Sequence, residues 1–456
     1  MEFFILKKII KYILILAAAY LVYIVASLII SAFIFSDEEV DFEFTLADGG
    51  ERVCSVDENT DALALRLAAI YSAEEEIIIS TFKIEQDDSS CTVLAALYEA
   101  AERGVSVKII IDGMNAQIRL YKYNEFKVLA AHENVEVKYY NRINFLKPWL
   151  QNYHLHDKYI IVDDSLYILG GRNIAEMALS EYENSNTDRD VLVYETGSGS
   201  DTSLAQLKEY FEMVWNLDVS EYAAYRCSEK KMTEALENLK EHYTQAEAVD
   251  WESITYEASS IMILTNPVNA ATTSADVWDS VCALMAEGEN VLIQTPYIMC
   301  DSSMYEDLTA VCGTADVEMI INSPVTGSNI FGSADYLNQK EKIYAIGVTT
   351  YEWYGGGHSS HAKTILIDDN ICIIGSYNFD MRSNYLDTEI MLVIDCPELN
   401  AQLRAEIEEL KSESKIISPD GTVTYGGNFE DSDYTAKKKV LYAILRVIEH
   451  PFRRML

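Results

Sequence analysis

The chain has 456 residues, of which 49% are hydrophobic, and its formal net charge is -38 at neutral pH. This length is sufficient for two or three domain-sized units with substantial cores. Because binding to phosphates depends largely on Lys and Arg, so acidic a surface disfavours nucleic acid as a partner. Any phosphate-bearing substrate therefore requires a locally basic pocket.

The first predicted element is an apolar segment, Ile9–Phe35, that is long enough to cross a bilayer as a helix. Its length and position disfavour a buried soluble helix, and a cleaved signal peptide would have a shorter apolar region before a small-residue cleavage site. Lysines precede the segment and acidic residues at 37–43 follow it, so the positive-inside rule places the N-terminus in the cytoplasm. We expect a single-pass cell-membrane protein with an extracytoplasmic catalytic domain, consisting of a cytoplasmic tail 1–8, a signal anchor 9–35 and a linker 36–60.

Two later stretches repeat one order of helices and strands. The first stretch predicts, in turn, a helix, a strand, a helix and a strand at Ala62–Ala73, Ile77–Thr81, Val93–Arg103 and Val107–Ile111. The second predicts the same series at Val277–Ala286, Val291–Thr295, Tyr305–Val311 and Val317–Ile321. Such alternation is typical of mostly parallel sheets that are covered on both faces. We therefore predict an α/β fold of two lobes related by a pseudo-twofold axis, with lobe 1 at 61–227, a helical connector at 228–251 and lobe 2 at 252–415.

The C-terminal tail, 416–456, ends in a basic amphipathic segment. Three lysines at 437–439 precede Val440–Ile448, in which apolar residues recur at helical spacing. Such a helix either lies in a membrane interface or packs on the domain, and the sequence leaves both interpretations open.

Each lobe contains one polar motif with the spacing H-x-K-x4-D-x6-G-[GS]-x-N. On a strand, residues i and i+2 point to the same face, so the His and Lys of each copy share a face, and Gly permits the close backbone approach that returns Asn to it. Two such units facing each other would bind a tetrahedral phosphate with no metal ion or other cofactor. The predicted site residues are His156, Lys158 and Asn173 in lobe 1, and His361, Lys363 and Asn378 in lobe 2. The motif aspartates, Asp163 and Asp368, each follow four apolar residues, which favours a structural role at the strand end.

The paired imidazoles indicate covalent catalysis. One attacks phosphorus to give a phosphohistidine, and the other protonates the leaving oxygen before it deprotonates the incoming alcohol or water. Each imidazole also needs an acceptor behind its second nitrogen to fix its orientation. Asp190 and Glu389 follow the two motifs at similar distances and are our candidates.

Several other residues have two interpretations each. Cys54 and Cys91 are the first pair to test for a disulfide bond, with buried free thiols as the alternative. His154 and His358 lie beside the motif histidines, where local hydrogen bonding is favoured over substrate contact. The segment Phe145–Leu150 is either a lip for lipid access or packing beneath the first catalytic strand.

From about residue 61 to 410, the paired motifs resemble those of the phospholipase D superfamily. The runs Gly170–Ile174 and Gly375–Ser383, together with Thr388-Glu389, are similar to those of bacterial cardiolipin synthases. The resemblance implies a membrane phosphatidyltransferase that acts on phospholipids, with phosphatidylglycerol as the expected substrate and phosphatidylethanolamine as a further candidate. It also implies that His156 is the nucleophile and His361 the acid and base.

Two departures from that family leave the acceptor open. Asp387 stands where the family usually has Asn, and the loop Ser323–Asp335 does not match its pattern. One alternative is a phospholipase that transfers the same group to water. A membrane-anchored nuclease is less favoured, because the acidic chain lacks a basic track interleaved with aromatic residues.

Overall fold

The computed structural model describes residues 2–34, 42–182, 185–197, 201–268, 275–355 and 358–456. Helix α1 (Glu2–Ser31) contains the predicted span up to Ser31, and its segment Ile5–Ser31 is, within the described residues, the one helix long and apolar enough to cross a membrane. Phe35 and the acidic residues at 37–41, which the predicted orientation partly uses, lie outside the described residues.

The region that follows builds the first lobe around one large sheet. The strands of residues 42–257 are, in chain order, β1 (Ala47–Asp48), β2 (Glu51–Val56), β3 (Glu76–Thr81), β4 (Ser106–Asp112), β5 (Val135–Tyr140), β6 (Tyr159–Val162), β7 (Leu166–Gly170), β8 (Asn186–Thr187), β9 (Asp190–Glu195), β10 (Ser220–Tyr222) and β11 (Tyr256–Glu257). The helices are α2 (Asn59–Ser72), α3 (Asp88–Glu102), α4 (Gly113–Arg119), α5 (Asn124–Ala130), α6 (Glu176–Leu179), α7 (Ser203–Trp215) and α8 (Glu229–His242). The sheet order is β10-β5-β4-β3-β6-β7-β9-β2-β11.

The second lobe repeats this plan. Its strands are β12 (Ser260–Thr265), β13 (Asn290–Gln294), β14 (Ile298–Met299), β15 (Asp316–Asn322), β16 (Thr349–Trp353), β17 (Ser359–Ser360), β18 (Thr364–Ile367), β19 (Ile371–Gly375), β20 (Phe379–Asp380), β21 (Ile390–Asp395), β22 (Ser414–Ile417) and β23 (Val423–Tyr425). Its helices are α9 (Asp276–Glu287), α10 (Ser302–Val311), α11 (Ile330–Ala345), α12 (Met381–Tyr385), α13 (Pro397–Ser412) and α14 (Ala436–Ile448). The sheet order is β1-β12-β21-β19-β18-β13-β15-β16-β22-β23.

The predicted α/β fold of two related lobes is confirmed. The order β5-β4-β3-β6-β7-β9-β2 of the first sheet matches β16-β15-β13-β18-β19-β21-β12 of the second. The prediction of mostly parallel sheets is wrong, since only β3, β4 and β5, and their counterparts β13, β15 and β16, pair in parallel among the described strands of the two large sheets. Three residues separate β6 from β7, and so short a connection permits only an antiparallel hairpin.

The two sheets share an inner core. Alternate side chains such as Ile161 on β6 and Leu366 on β18 point into the same apolar cluster, which α7 and α13 complete. The outer faces are covered separately, by α2, α3, α5 and α8 on the first sheet and by α9, α10 and α11 on the second. Helix α8 lies in the predicted connector and packs on α3 and α5. The predicted bounds of the lobes and the connector stay a proposal.

All eight cysteines are within the described residues, and each is a free thiol. The pair that we selected as a candidate disulfide, Cys54 and Cys91, is therefore not formed. Burial raises the pKa of Cys54 to about 12 and that of Cys91 to about 11, as expected for buried thiols.

Candidate active site

The two motif histidines lie on extended segments that enter β6 and β18, and each segment is held by the opposite lobe. The backbone N–H of His156 donates to Thr388 Oγ1 at 2.9 Å, and that of His361 donates to the Thr187 carbonyl at 2.7 Å. Strand β17, just before His361, also pairs in parallel with β8 of the first lobe. The two segments are thus fixed relative to each other by contacts between the lobes.

The acids behind the imidazoles are exchanged between the lobes. His156 Nδ1 lies 2.8 Å from Glu389 Oε1, and His361 Nδ1 lies 2.7 Å from Asp188 Oδ2. Both carboxyl groups are buried. Each lobe therefore orients the imidazole of its partner lobe, and leaves Nε2 of each ring directed away from its acid.

Glu389 lies where the sequence analysis placed it, but the assignment of Asp190 is wrong. Asp190 is the first residue of β9 and accepts from Arg66 at 2.7 Å and Arg172 at 3.3 Å, in a buried ion-pair cluster. Asp188, two residues earlier, occupies the position behind His361. The shared dipeptides Thr187-Asp188 and Thr388-Glu389 are the signal that identifies this acid in the sequence.

Glycine at the end of β7 and β19 permits the close approach of the acid-bearing segments. A Cβ on Gly375 would contact the Ile390 carbonyl, and a Cβ on Gly171 would overlap the Asp188 carboxyl group. The equivalent of Gly171 in lobe 2 is Ser376, whose hydroxyl donates to Glu389 Oε2 at 2.5 Å. At this motif position, Gly171 therefore leaves room for Asp188, whereas Ser376 donates a hydrogen bond to Glu389.

The two motif lysines supply the positive charge of the site. Lys158 Nζ donates to the His156 carbonyl, and Lys363 Nζ lies 3.1 Å from His361 Nε2. Burial lowers the pKa of Lys158 to about 7 and that of Lys363 to about 8. Both lysines act on His156 electrostatically, which indicates that one site contains both motifs.

The electrostatic environments of the two histidines differ. Burial and the charge of Lys158 lower the pKa of His156 well below its usual value, and burial raises that of Glu389. Burial and Lys363 also lower the pKa of His361, but Asp188 opposes that shift. Although burial alone would raise the pKa of Asp188, the charges of His361 and Lys363 hold it below its usual range.

The motif asparagines lie beside this cluster. Among the described residues, the side-chain oxygens of both Asn173 and Asn378 are buried without a hydrogen-bond partner, a costly arrangement for a purely structural amide. The backbone N–H of Asn378 donates to Ser383 Oγ, and that hydroxyl donates to Glu389. Both asparagines are thus available to contact a substrate.

The motif aspartates do not reach the site. Asp163 Oδ1 accepts from the backbone N–H groups of Glu75 and Glu76, and Asp368 Oδ1 accepts from those of Glu289 and Asn290. Both have left-handed backbones, with φ of 51° and 46°. They cap the far ends of the catalytic strands, as their position in the sequence favoured, and are not catalytic groups.

A cavity of about 330 Å³ opens beside His361. Both lobes contribute its lining, which is about half polar, and its polar side chains include Lys83, Asn173, Asp188, Tyr297, Asn322 and Asn329. The His361 side chain is 28% exposed and that of His156 is 10% exposed. A group that enters through this cavity therefore meets His361 first. Lys83 belongs to no motif, so the sequence does not predict its place at the cavity.

The neighbouring histidines have the local roles that the sequence favoured. His154 Nδ1 lies 2.7 Å from Asp112 Oδ2, and His358 Nδ1 lies 3.2 Å from the Ser185 carbonyl. His154 thereby ties the catalytic segment to the end of β4, where Asp112 also caps α4.

Comparison with known proteins agrees with this geometry. A sequence profile described as cardiolipin synthase, PLD-like domain, matches residues 67–215 and 281–411, one block for each lobe. The chain belongs to this family. It is therefore an enzyme of the phospholipase D superfamily.

Its relatives in the family are distant. Cardiolipin synthase 1 of Staphylococcus epidermidis is 24% identical over 357 residues, which cover 77% of this chain and 66% of that protein. The major cardiolipin synthase of Bacillus subtilis is 23% identical, with coverage of 74% and 64%. An uncharacterized protein of Helicobacter pylori is 24% identical over 407 residues, 79% of either chain. The crystal structure of phosphatidylserine synthase from Haemophilus influenzae covers 89% of this chain and 95% of its own, with a TM-score of 0.62 and 16% identity, and shows the shared fold alone.

Proposed function

We propose that the chain is a cardiolipin synthase-like phosphatidyltransferase that works through a covalent phosphohistidine on phospholipids. The observation that carries this proposal is the pair of imidazoles, each oriented by an acid of the opposite lobe, in one site with two buried lysines. The family match and the names of the cardiolipin synthase relatives support the choice of lipid substrates.

In the first half-reaction, His156 Nε2 attacks the phosphorus of a donor phosphatidylglycerol. The bond from phosphorus to the headgroup oxygen breaks, His361 gives its proton to that oxygen, and glycerol leaves. A low pKa keeps His156 unprotonated and nucleophilic, whereas Asp188 supports the positive charge on His361. The ammonium groups of Lys158 and Lys363 neutralise the nonbridging oxygens, so the negative charge of the transition state develops beside cations that are already in place.

In the second half-reaction, His361 removes the proton from a hydroxyl group of an acceptor lipid. That oxygen attacks phosphorus, the bond from phosphorus to His156 breaks, and the imidazole is restored. The cavity beside His361 provides space for the acceptor's headgroup. Water in the same place would give phosphatidic acid, so the acceptor decides between a synthase and a phospholipase.

The proposal includes the cell membrane as the location. The N-terminus would be cytoplasmic and the lobes extracytoplasmic, which α1 and the lysines before its apolar core support. Protease added to intact spheroplasts would then digest the lobes, whereas protection until the membrane is opened would contradict this orientation.

The deciding experiment is mass spectrometry of lipids after incubation of the full chain with phosphatidylglycerol and phosphatidylethanolamine. We expect cardiolipin from the intact enzyme and none from His156→Ala. Phosphatidic acid as the sole product would mean that water is the acceptor. If neither lipid forms, the lipid assignment is wrong, and single-stranded oligonucleotides become the next substrates to test.

A further inference from the structure

Two exposed apolar residues of lobe 1, Phe145 and Leu146, contact α1. Tyr20 and Tyr23 of α1 donate to the carbonyls of Phe145 and Leu146 at 2.5 and 2.9 Å, and the Leu146 residue is 82% exposed. Tyr20 lies eleven residues before Ser31, or about 16 Å along the helix axis. If α1 crosses a bilayer, the loop at Phe145 therefore lies against the apolar part of the helix, within reach of the lipid.

A second exposed apolar face lies on α14. Val440, Ile444, Val447 and Ile448 recur at helical spacing on its outer side, and Val447 is 75% exposed. The opposite side of α14 packs on α11 through Tyr442 and Leu445. The two interpretations of this helix that the sequence left open are thus compatible, because one side packs on the domain and the other has no partner among the described residues.

The chain after α14 returns to α1. The 3-10 turn His450–Met455 contacts both α1 and α12, and the Arg454 guanidinium lies over the rings of Phe33 and Tyr385, 5.1 and 3.9 Å from their centroids. The exposed face of α14 is therefore continuous, through the single residue Glu449, with the segment that packs on the end of the predicted span.

The charge of this segment is opposite to that of the whole chain. The chain has 35 Lys and Arg against 73 Asp and Glu, whereas residues 435–456 have six basic residues, Lys437, Lys438, Lys439, Arg446, Arg453 and Arg454, against Glu449 alone. A basic helix with an exposed apolar face is typical of one that lies in the interface of a membrane with anionic lipids.

Both elements are connected to the active site through short segments of chain. Tyr442 Oη donates to the Pro324 carbonyl at 2.8 Å and Lys438 Nζ to the Val325 carbonyl, in the loop whose next residues, Gly327 to Asn329, line the cavity. The loop at Phe145 leads through the 3-10 turn Pro148–Asn152 to His154 and His156. Helix α14 is thus attached to one wall of the cavity, and the loop at Phe145 to the segment that leads to His156.

We infer that Phe145–Leu146 and the exposed face of α14 form one membrane-contact surface that rests on anionic lipid beside α1. The surface holds one wall of the cavity, and the segment that leads to His156, against the lipid, so that headgroups reach His361 from the membrane. This inference does not depend on whether the acceptor is a lipid or water. It also gives a reason for the unusual segment Ser323–Asp335, because α14 packs against this segment.

Photo-crosslinking tests the surface in the full chain. We would place benzoylphenylalanine at position 146, 447 or 369 in proteoliposomes of phosphatidylglycerol and phosphatidylethanolamine, and detect lipid adducts by mass spectrometry. Asp369 is the control, because it is exposed at the end of β18 farthest from His361. We expect lipid adducts at 146 and 447 and none at 369. Adducts at 146 without adducts at 447, or a protein adduct at 447, would overturn the inference for α14.

Lipid composition tests the charge argument. Each exposed Lys or Arg near an anionic membrane surface raises the binding constant for that membrane about fivefold. Replacement of phosphatidylglycerol by phosphatidylcholine should therefore lower the yield of lipid adducts at 447 at least fivefold, and leave the yield at 146, beside α1, nearly unchanged. Equal yields at 447 in both membranes would contradict anionic lipid as the partner. Lipid adducts together with an inactive enzyme would preserve the membrane-contact surface and reject the proposed transferase.

Discussion

The two lobes carry one motif, but they hold their imidazoles in different electrostatic states. His156 faces Glu389, whose pKa is raised by burial, whereas His361 faces Asp188, whose pKa is held low by His361 and Lys363 against the effect of burial. Burial lowers the pKa of both imidazoles, but Asp188 opposes this shift at His361, so the second arrangement supports a protonated imidazole better than the first does. In the mechanism that we propose, the same residue type is thus the nucleophile in one lobe and the acid in the other.

The largest expected effect comes from removing either histidine. His156→Ala and His361→Ala should each lower turnover roughly 10³-fold or more, because each loses a group that bonds to a reacting atom. A phosphatidyl ester with a nitrophenolate leaving group separates their roles, since that group leaves without a proton. His361→Ala should then still form a phosphatidyl adduct, seen by intact-protein mass spectrometry, and His156→Ala should form none. An adduct on His361 in the His156→Ala enzyme would reverse the assignment.

The acids give the next largest effect, and the difference between the lobes predicts its sign. Asp188→Asn should lower kcat about 10²-fold. Asp188 raises the pKa of His361 against the effects of burial and Lys363, so its loss lowers that pKa further. Because the general acid must be protonated, the alkaline limb of the kcat profile should move to lower pH.

Two matched variants control that prediction. Glu389→Gln should move the limb less, since its carboxyl group already favours the neutral form. Asp190→Asn alters the neighbouring ion pair with Arg66 and Arg172 and should leave the limb in place. A shift with Asp190→Asn that equals the shift with Asp188→Asn would mean that the contact with His361 does not set its pKa.

Stability should also differ between the lobes. Arg172 is buried against Asp190, whereas the equivalent motif position in lobe 2 is Tyr377, whose N–H contacts Met391 Sδ and whose hydroxyl donates to Asn384. Arg172→Met should lower the free energy of unfolding by about 3 kcal/mol, because it leaves a buried carboxylate with one partner fewer. Tyr377→Phe should cost about 1 kcal/mol. Denaturant titration in detergent measures the free energy of unfolding of both variants. Equal losses in the two variants would contradict the predicted difference between the lobes.

Sequence alone identified most of the site, because spacing along a strand fixes which side chains share a face. His156, Lys158 and their lobe 2 counterparts follow from that rule. The acid that partners His361 does not follow from that rule, because Asp188 and Asp190 lie at similar distances along the chain. Which of the two contacts His361 depends on which segment meets the opposite lobe. The sequence also does not predict that β6 and β7 are antiparallel, because the pattern marks Asp163 as the end of a strand and does not show that a hairpin starts there.

The smallest expected effect concerns the position that reads Gly in one lobe and Ser in the other. Ser376 donates to Glu389 Oε2 and accepts from the Ile390 N–H, so Ser376→Ala removes one of the hydroxyl groups that hold this carboxyl group. Ser383 still donates to Glu389 Oε1, so the loss should be about 1 kcal/mol, or roughly fivefold in kcat. Gly171 offers no equivalent donor, since any Cβ there would displace Asp188. Asp188 is therefore held by its charged neighbours, and Glu389 by the hydroxyl groups that donate to it. A decrease in kcat of more than 10²-fold in Ser376→Ala would show that Glu389 is as ionised as Asp188.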